Sequence, residues 1–416
     1  MKLNMDFVRA QFPALAGDWI FFDNAGGSQT LKQVADRLHD YLLTSNVQLG
    51  ASYGVSQLAG QRVKDGARAV SELIDAGDEN EVILGPSTTV LLNNLGYCLG
   101  ETWAAGDEVI VTNCDHEANI GGWRRLERKG MIIKEWRVNR ETLELHLEDL
   151  QALMTEKTRL VALTHASNIL GTINPIKQIA SFVHERGALI CVDGVAYAPH
   201  ALVDVRDLDV DFYAFSFYKV YGPHYAMLYG KKEHLLKLPG INHFFIAEDD
   251  VPYKFQPGSV NYELGYSVLG IADYFTQFAE VHAAEASDGV GPNTGRLRDA
   301  AAFTYECFAR QEELLSARLL EFLNAKSNVR IIGRKEADRK VRMPTISFVM
   351  ENTKSSAITL EVDKHKIGIR YGDFYARRLI RDLGLMPQDG VVRVSMLHYN
   401  TLEEVDKLVG VLDGLL

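Results

Sequence analysis

Two charged side chains stand directly after apolar runs that are typical of buried strands. Lys219 closes the segment DFYAFSFYK, just before a Gly-Pro turn, and Asp193 closes the segment ALICVD. The lysine either extends its amine to solvent or uses it in a Schiff base to an aldehyde. The aspartate either caps a turn or holds a carboxylate against a pyridine nitrogen, which keeps that ring protonated. Together the two positions predict a pyridoxal phosphate (PLP) site in which Lys219 holds the cofactor.

A phosphate-binding turn is the next requirement of such a site. The segment LGPSTTVLLNNL places Ser87 and Thr88 between a strand and a helix, where amides and hydroxyls can receive a phosphate. Helix N-capping alone explains the same residues equally well. The sequence contains no G-x-G-x-x-G or G-x-x-x-x-G-K-[ST] motif, so a dinucleotide or Walker-type site is disfavoured.

The segment NCDHEAN, residues 113–119, follows the apolar run DEVIVT and superficially offers metal ligands. Adjacent residues rarely converge on one ion, and no H-E-x-x-H or H-x-x-E-H spacing is present, so we expect no metal. His116 either lies flat on the cofactor ring or belongs to a surface loop.

Two arginines interrupt apolar surroundings near the C-terminus, Arg370 in GIRYG and Arg393 in VVRVS. The planar fork of a guanidinium matches the two oxygens of an α-carboxylate. Arg393 is the stronger candidate because an unpaired charge within a strand is costly, whereas Arg370 is also compatible with a surface position.

The elements that position these residues form an α/β pattern. Apolar runs alternate with helical patterns between residues 80 and 230, which predicts a large, mostly parallel wound sheet with ligands beyond the carboxyl ends of its strands. The segment EASDGVGPNTGRLRD breaks the pattern and predicts a domain boundary. We expect an N-terminal arm over 1–20 that packs on the small domain, a large PLP-binding domain over 21–285 and a small α+β domain over 286–416.

Composition limits the partners and the compartment. The 416 residues include 44 basic and 55 acidic side chains, and the net charge of −11 disfavours nucleic acid and anionic membranes. No signal-peptide core and no run of ~18 apolar residues is present, so a cytoplasmic protein is expected. The four cysteines form no CxxC pair, which predicts reduced and mostly buried thiols.

The ordered motifs resemble the class V aminotransferase family, specifically its cysteine-desulfurase-like branch. The resemblance rests on FDNA at 22–25 and THASNILGT at 164–172, together with the strand-end residues above. It implies the PLP-dependent fold type I, with His116 on the ring and Asp193 at its nitrogen. Further cofactor contacts are implied for the following residues: Ser87, Thr88, Asn168, Ser216, Tyr218 and Lys219.

The resemblance also implies a substrate site and a partner. Arg393 would bind the substrate carboxylate, with Arg370 and Asn24 nearby. Ser259, in QPGSVN, would reach the phosphate of a neighbouring subunit, which implies a homodimer with shared active sites.

Three departures from the family pattern bear on the reaction. Desulfurases carry a nucleophilic cysteine shortly after an Arg-x-Gly, but the chain reads RYGDFYA and places Tyr375 at the nearest position. The family's glutamine after V-D-G-A is replaced by Ala196, and its histidine before the lysine is replaced by Tyr218. A persulfide relay of the usual kind is therefore not expected.

The sequence favours a transaminase that acts at the α-carbon of an amino acid. C–S elimination is the alternative, either as a β-lyase or as a desulfurase-like reaction without the usual cysteine, and Tyr375 would then be the acid for the leaving group. The same residues also suit an amino-acid epimerase. A non-catalytic PLP-binding protein is a fourth interpretation, which the combination of lysine, aspartate and arginine disfavours.

Overall fold

The computed structural model describes residues 3–258, 260–284 and 295–416. The α-helices in chain order are α1 Met5–Ala10, α2 Lys32–Thr44, α3 Gly54–Leu73, α4 Thr88–Thr102, α5 Ala118–Arg124, α6 Leu147–Leu153, α7 Ile176–His184, α8 Lys232–Lys237, α9 Tyr262–Ser267, α10 Leu269–Ala284, α11 Leu297–Asn324, α12 Ser355–Asp363, α13 Arg377–Asp382 and α14 Leu402–Asp413. The strands are β1 Ile20–Phe21, β2 Val82–Gly85, β3 Glu108–Thr112, β4 Ile132–Trp136, β5 Thr158–Thr164, β6 Leu189–Asp193, β7 Phe212–Ser216, β8 Ala226–Gly230, β9 Val329–Ile331, β10 Thr345–Met350, β11 Ile367–Gly368, β12 Arg370–Gly372 and β13 Val391–Ser395.

The chain divides into two compact units. Unit 1 comprises the described parts of residues 1–16, 29–103 and 201–307, and unit 2 comprises residues 17–28, 104–200 and 308–416. The predicted boundary at residue 285 lies among residues 285–294, outside the described part of the chain. The division into a large and a small domain therefore stays a prediction.

In unit 1, β8 pairs antiparallel with both β2 and β7. Every residue of these three strands is buried, which explains why they read as continuous apolar runs in the sequence. A short 3₁₀ turn, Phe217–Lys219, follows β7 directly.

In unit 2, β6, β5, β3 and β4 pair in that order, and all the pairs are parallel. Their carboxyl ends share one edge, where Thr112, Thr164 and Asp193 are the last strand residues. A second sheet of unit 2 has the order β12, β13, β10, β9 and is antiparallel. Apolar side chains of α11, α12 and α14 pack in one buried cluster with residues of this second sheet.

The apolar runs between residues 80 and 230 form the strands β2 to β8, as expected. For the predicted small domain, the sequence also indicates strands near Arg330, over 345–350 and over 391–395, which are confirmed, and a helix over 357–366, which instead spans Ser355–Asp363. The strand β12 was not predicted, because its three residues of mixed polarity show no alternation. Among the described residues, no helix is long and apolar enough to span a membrane.

The N-terminal arm, which the sequence expects on the small domain, has contacts in both of the predicted ranges. The amide of Asn4 donates to Nε2 of His282 at 3.0 Å, and the ring of Phe12 lies edge-on to that of Tyr274 with centroids 5.6 Å apart. Both partners fall in the range 21–285. Two later residues of the arm contact the range 286–416 as expected: Asp18 forms an ion pair with Lys366 at 2.7 Å, and Ile20 pairs with Ile367 in the β1–β11 pair. The sequence of α1 carries no signal that selects which part of the protein covers its apolar side chains.

Candidate active site

Three hydroxyl side chains of unit 1 lie in or near the turn that precedes α4. Ser87 is the N-cap residue, and its Oγ accepts the amide of Val90 at 3.2 Å. The hydroxyls of Thr88 and Ser216 lie 2.7 Å apart, and both residues are buried. The N-terminus of a 15-residue helix offers unsatisfied amides and a positive dipole end, so this turn suits an anion such as phosphate.

Lys219 follows β7 in unit 1 and is only 6% exposed. Burial of the residue disfavours the alternative in which Lys219 extends into solvent. Its Nζ lies 5.8 Å from the ring centroid of Tyr218, and that ring stacks on His224 with centroids 5.0 Å apart. An amine at the end of a buried strand is a candidate nucleophile or base.

Asp193 ends β6 in unit 2 and is 4% exposed. Its Oδ1 accepts the amide of Val195 at 2.9 Å, so the turn-capping interpretation holds for that oxygen. Its backbone carbonyl accepts the amide of His165 at 2.8 Å. The ring of His165 stacks on Tyr197 at 3.5 Å, and burial lowers the pKa of His165 to about 3, which keeps this imidazole neutral.

A second buried acid, Asp115, lies between β3 and α5. One of its carboxylate oxygens accepts a short hydrogen bond from the hydroxyl of Thr112, and the other accepts Nδ2 of Asn119 at 2.7 Å. Burial, together with the negative charge of Asp193, raises the pKa of Asp115 to about 7. Near neutral pH this carboxyl is therefore partly protonated, unlike an ordinary aspartate.

His116 begins the turn into α5, and its ring faces Tyr375. Its Nδ1 accepts the amide of Ala118 at 3.1 Å, so the ring proton is on Nε2 when the imidazole is neutral. The ring centroids of His116 and Tyr375 lie 5.0 Å apart with an angle of 35° between the planes. Tyr375 is 67% exposed, so the phenol is available to solvent and to small molecules.

Arg393 on β13 is the centre of a polar cluster in unit 2 and is 2% exposed. Its Nη2 donates to Oδ1 of Asp23 at 2.8 Å, and its Nη1 donates to the carbonyl of Asn168 at 3.2 Å. Arg370 lies opposite Arg393 across the β12–β13 pair, 3.7 Å from the same aspartate. The ring of Phe374 lies 3.8 Å from Cζ of Arg393.

Asn24, which the resemblance places at the substrate, is instead bonded within the fold. Its Nδ2 lies within hydrogen-bonding distance of the carbonyls of Phe21 and Ser395 and of Oδ1 of Asn400, and its Oδ1 accepts the hydroxyl of Tyr399 at 2.6 Å. The residue is 3% exposed. These contacts show that Asn24 holds the segment after β1 in place, and its role at the substrate stays a prediction.

The structure thus brings together Ser87, Thr88 and Ser216 in unit 1, and Asn168, Arg370 and Arg393 in unit 2. Ser259 lies outside the described residues. Sequence reasoning missed Asp115, Asp23 and Phe374 as parts of the site. Asp115 carried a signal, because it is an acid directly after a buried strand and beside His116; the other two carried none.

Comparison with known proteins identifies the class and then the family. The architecture is the fold type I of PLP-dependent enzymes, and the class V aminotransferase resemblance is confirmed. The model of the family described as "Aminotransferase class-V" matches residues 20–288 and 297–408. The chain belongs to this family, whose members are PLP-dependent enzymes, and it is a transaminase or a C–S lyase by class.

Individual relatives are similar over the whole chain. The aminotransferase-like protein FGM3 of Gibberella zeae is 41% identical over 100% of this chain and 99% of its own length. The cysteine desulfurase-like protein ustD of Aspergillus flavus is 32% identical over 99% of this chain and 90% of its own. The apo structure of a cysteine desulfurase from Thermococcus onnurineus superposes with a TM-score of 0.85 at 26% identity, covering 100% of this chain and 98% of that one.

Proposed function

We propose that this chain binds PLP through Lys219 and transaminates an amino acid whose carboxylate is held by Arg393. Each unit holds residues that suit a part of this cofactor. In unit 1 a hydroxyl pair at a helix N-terminus suits the phosphate and a buried lysine suits the carbonyl, and in unit 2 a buried carboxylate suits the ring nitrogen. When bound, the cofactor supplies a carbonyl that captures amines and a protonated ring that accepts an electron pair from the substrate α-carbon.

The protein side chains then have distinct tasks. The amine of Lys219 would accept the α-proton of the substrate at Nζ and donate it to the carbon that was the cofactor carbonyl, not back to the α-carbon, as transamination requires. The carboxylate of Asp193 keeps a negative charge beside the ring nitrogen, which holds the proton there. Arg393 fixes the α-carboxylate and thereby orients the bond to be broken. The imidazole of His116 covers one face of the ring.

The observation that favours transamination over sulfur transfer is the burial of the four thiols. All four cysteines are buried, and burial raises the pKa of Cys98 to about 11 and that of Cys114 to about 12. A persulfide relay needs an accessible thiolate near the substrate. The loop that follows Arg370 presents Tyr375 instead.

C–S elimination is the second candidate, because the phenol of Tyr375 is exposed beside His116 and could act as the acid for a leaving group. A panel of amino acids, assayed for keto acid with pyridoxamine phosphate, for pyruvate with sulfide, and for inverted substrate, separates the reactions. We expect keto acid that persists in Tyr375→Phe. Sulfide release that is abolished in Tyr375→Phe would instead establish C–S elimination. Formation of the inverted substrate would establish epimerisation.

We also propose a homodimer with shared active sites, which rests on the resemblance of residues 256–261 to a loop that crosses between subunits. Light scattering of the purified protein should give twice the chain mass. Mixing Lys219→Ala chains with Ser259→Asp chains should restore activity to part of the mixture, because one site per mixed dimer then has both intact residues. Mixed dimers without activity would contradict the sharing.

A further inference from the structure

The loop after β12 holds two aromatic residues in an unfavourable backbone conformation. Phe374 and Tyr375 have φ angles of +49° and +60°, a region that bulky side chains rarely occupy. Asn168 Nδ2 donates to the carbonyl of Phe374 at 2.9 Å, and the carbonyl of Tyr375 accepts the amide of Glu117 at 2.8 Å. Strain that neighbouring groups maintain in this way points to a function for the residues that bear it.

The consequence of this conformation is the direction of the Phe374 ring. The ring lies 3.8 Å from Cζ of Arg393, against 5.8 Å from that of Arg370, so it stacks on the buried arginine. Phe374 is 9% exposed and Arg393 is 2% exposed. A cation–π contact is strongest when both groups are removed from water in this way.

Two acceptors contact the two Nη atoms of the Arg393 guanidinium, and the Phe374 ring lies on its face. Asn168 supports the Phe374 carbonyl with its side chain and accepts Nη1 of Arg393 with its own carbonyl, while Asp23 accepts Nη2. The ring therefore defines the plane of the guanidinium, and the two acceptors define its rotation within that plane. A guanidinium binds both oxygens of a carboxylate only when its fork is aimed in this manner.

We propose that Phe374 is a positioning residue that fixes the plane of the Arg393 guanidinium and thereby sets the preference for ligands that carry an α-carboxylate. The inference rests on the proposed function, because it takes Arg393 as the carboxylate-binding group. Phe374 also packs with Leu379, Ile380 and Val391 in an apolar cluster, so its test must separate ring stacking from core packing.

Two oxyamine probes make that separation in the PLP-loaded protein. Both react with the bound cofactor carbonyl, but aminooxyacetate carries a carboxylate and methoxyamine does not. The second-order rate constants for loss of the cofactor absorbance give a ratio that reports carboxylate recognition alone. We expect Phe374→Leu and Phe374→Met to lower this ratio about tenfold. Phe374→Tyr keeps the ring, so it should keep the wild-type ratio.

Phe182→Leu is the matched control, because it removes another aromatic ring that contacts an arginine. Phe182 lies on α7 of the same unit, and its ring centroid is 3.5 Å from Cζ of Arg186. It should leave the ratio unchanged. Equal slowing of both probes in Phe374→Leu, or an unchanged ratio, would overturn the inference.

The proposed function fails differently. A wild-type protein that forms no cofactor complex, or that reacts with both probes at equal rates, contradicts carboxylate binding at Arg393 and the role of Phe374 together. Suppose that the wild-type ratio is high, that Arg393→Lys lowers it and that Phe374→Leu leaves it unchanged. This outcome contradicts only the role of Phe374.

Discussion

The candidate residues of the two units are of different chemical kinds. Apart from Lys219, unit 1 contributes uncharged hydroxyls at a helix N-terminus, the hydroxyl set of Ser87, Thr88 and Ser216. Unit 2 contributes buried charges, the charged set of Asp115, Asp193 and Arg393. Hydroxyls bond to each other or to water at little cost, whereas each buried charge needs dedicated partners.

This difference explains how the two sets are built. The hydroxyl set needs only the regular geometry of a strand, a turn and a helix. The charged set is surrounded by supporting groups: Asn119 and Thr112 at Asp115, the Val195 amide at Asp193, and Asp23 with Phe374 at Arg393. Substitutions and pH changes should therefore affect the charged set more than the hydroxyl set.

The largest expected effect is the pH dependence of stability caused by Asp115. Its pKa is raised to about 7, so between pH ~4 and ~7 the folded state binds more protons than the unfolded state. The free energy of unfolding should fall as pH rises through this window, by up to about 4 kcal/mol from this group. Denaturant titrations at pH 5 and pH 8 should show this fall in the wild type and not in Asp115→Asn.

Asp107→Asn is the control for that experiment. Arg159 holds the pKa of Asp107 below its usual range, so its titration lies below the measured window and its loss should not change the pH 5 to pH 8 difference. An identical fall in the wild type and in Asp115→Asn would show that Asp115 is ionised throughout.

Asp193→Asn should lower kcat roughly 10²- to 10³-fold, because a charged hydrogen bond to the ring nitrogen is lost from a buried site. Steady-state kinetics on the preferred amino acid measures it. Asp209→Asn, at an aspartate whose side chain is 62% exposed, is the control and should have no effect. A change below threefold in Asp193→Asn would remove that residue from the proposed chemistry.

The two arginines should respond unequally to the same substitution. Arg393→Lys should lower kcat/KM roughly 30- to 100-fold, because lysine cannot bind both carboxylate oxygens in parallel. Arg370→Lys should change it less than threefold, since the Arg370 side chain is 57% exposed and its contact with Asp23 is screened by solvent. The reverse order would place the substrate carboxylate at Arg370.

The smallest effect is expected in the hydroxyl set. Thr88→Val and Ser216→Ala should each raise the Kd for PLP about tenfold and leave kcat nearly unchanged. Because the two hydroxyls are 2.7 Å apart, the double variant should lose less than the product of the single losses. Fluorescence titration of the apoprotein measures these constants, and unchanged values would place the phosphate elsewhere.

The same contrast determines what the sequence could predict. Some site residues lie at the ends of regular elements with clear apolar patterns, so the predicted strands also predict their positions. These residues are Lys219, Asp193 and Ser87. Asp23 and Phe374 meet Arg393 only because distant segments come together and because residue 374 has a positive φ without being glycine. No local pattern encodes either fact. Asn24 shows a related limit, since its motif gave no sign of the hydrogen bonds that the residue makes within the fold.

The most direct test of the account is to locate the cofactor on the chain. Wild-type protein loaded with PLP is reduced with borohydride, digested and analysed by mass spectrometry. We predict a single modified peptide with the cofactor on Lys219. A cofactor adduct on another lysine, such as the buried Lys254 of unit 1, with Lys219 unmodified, would contradict the central claim.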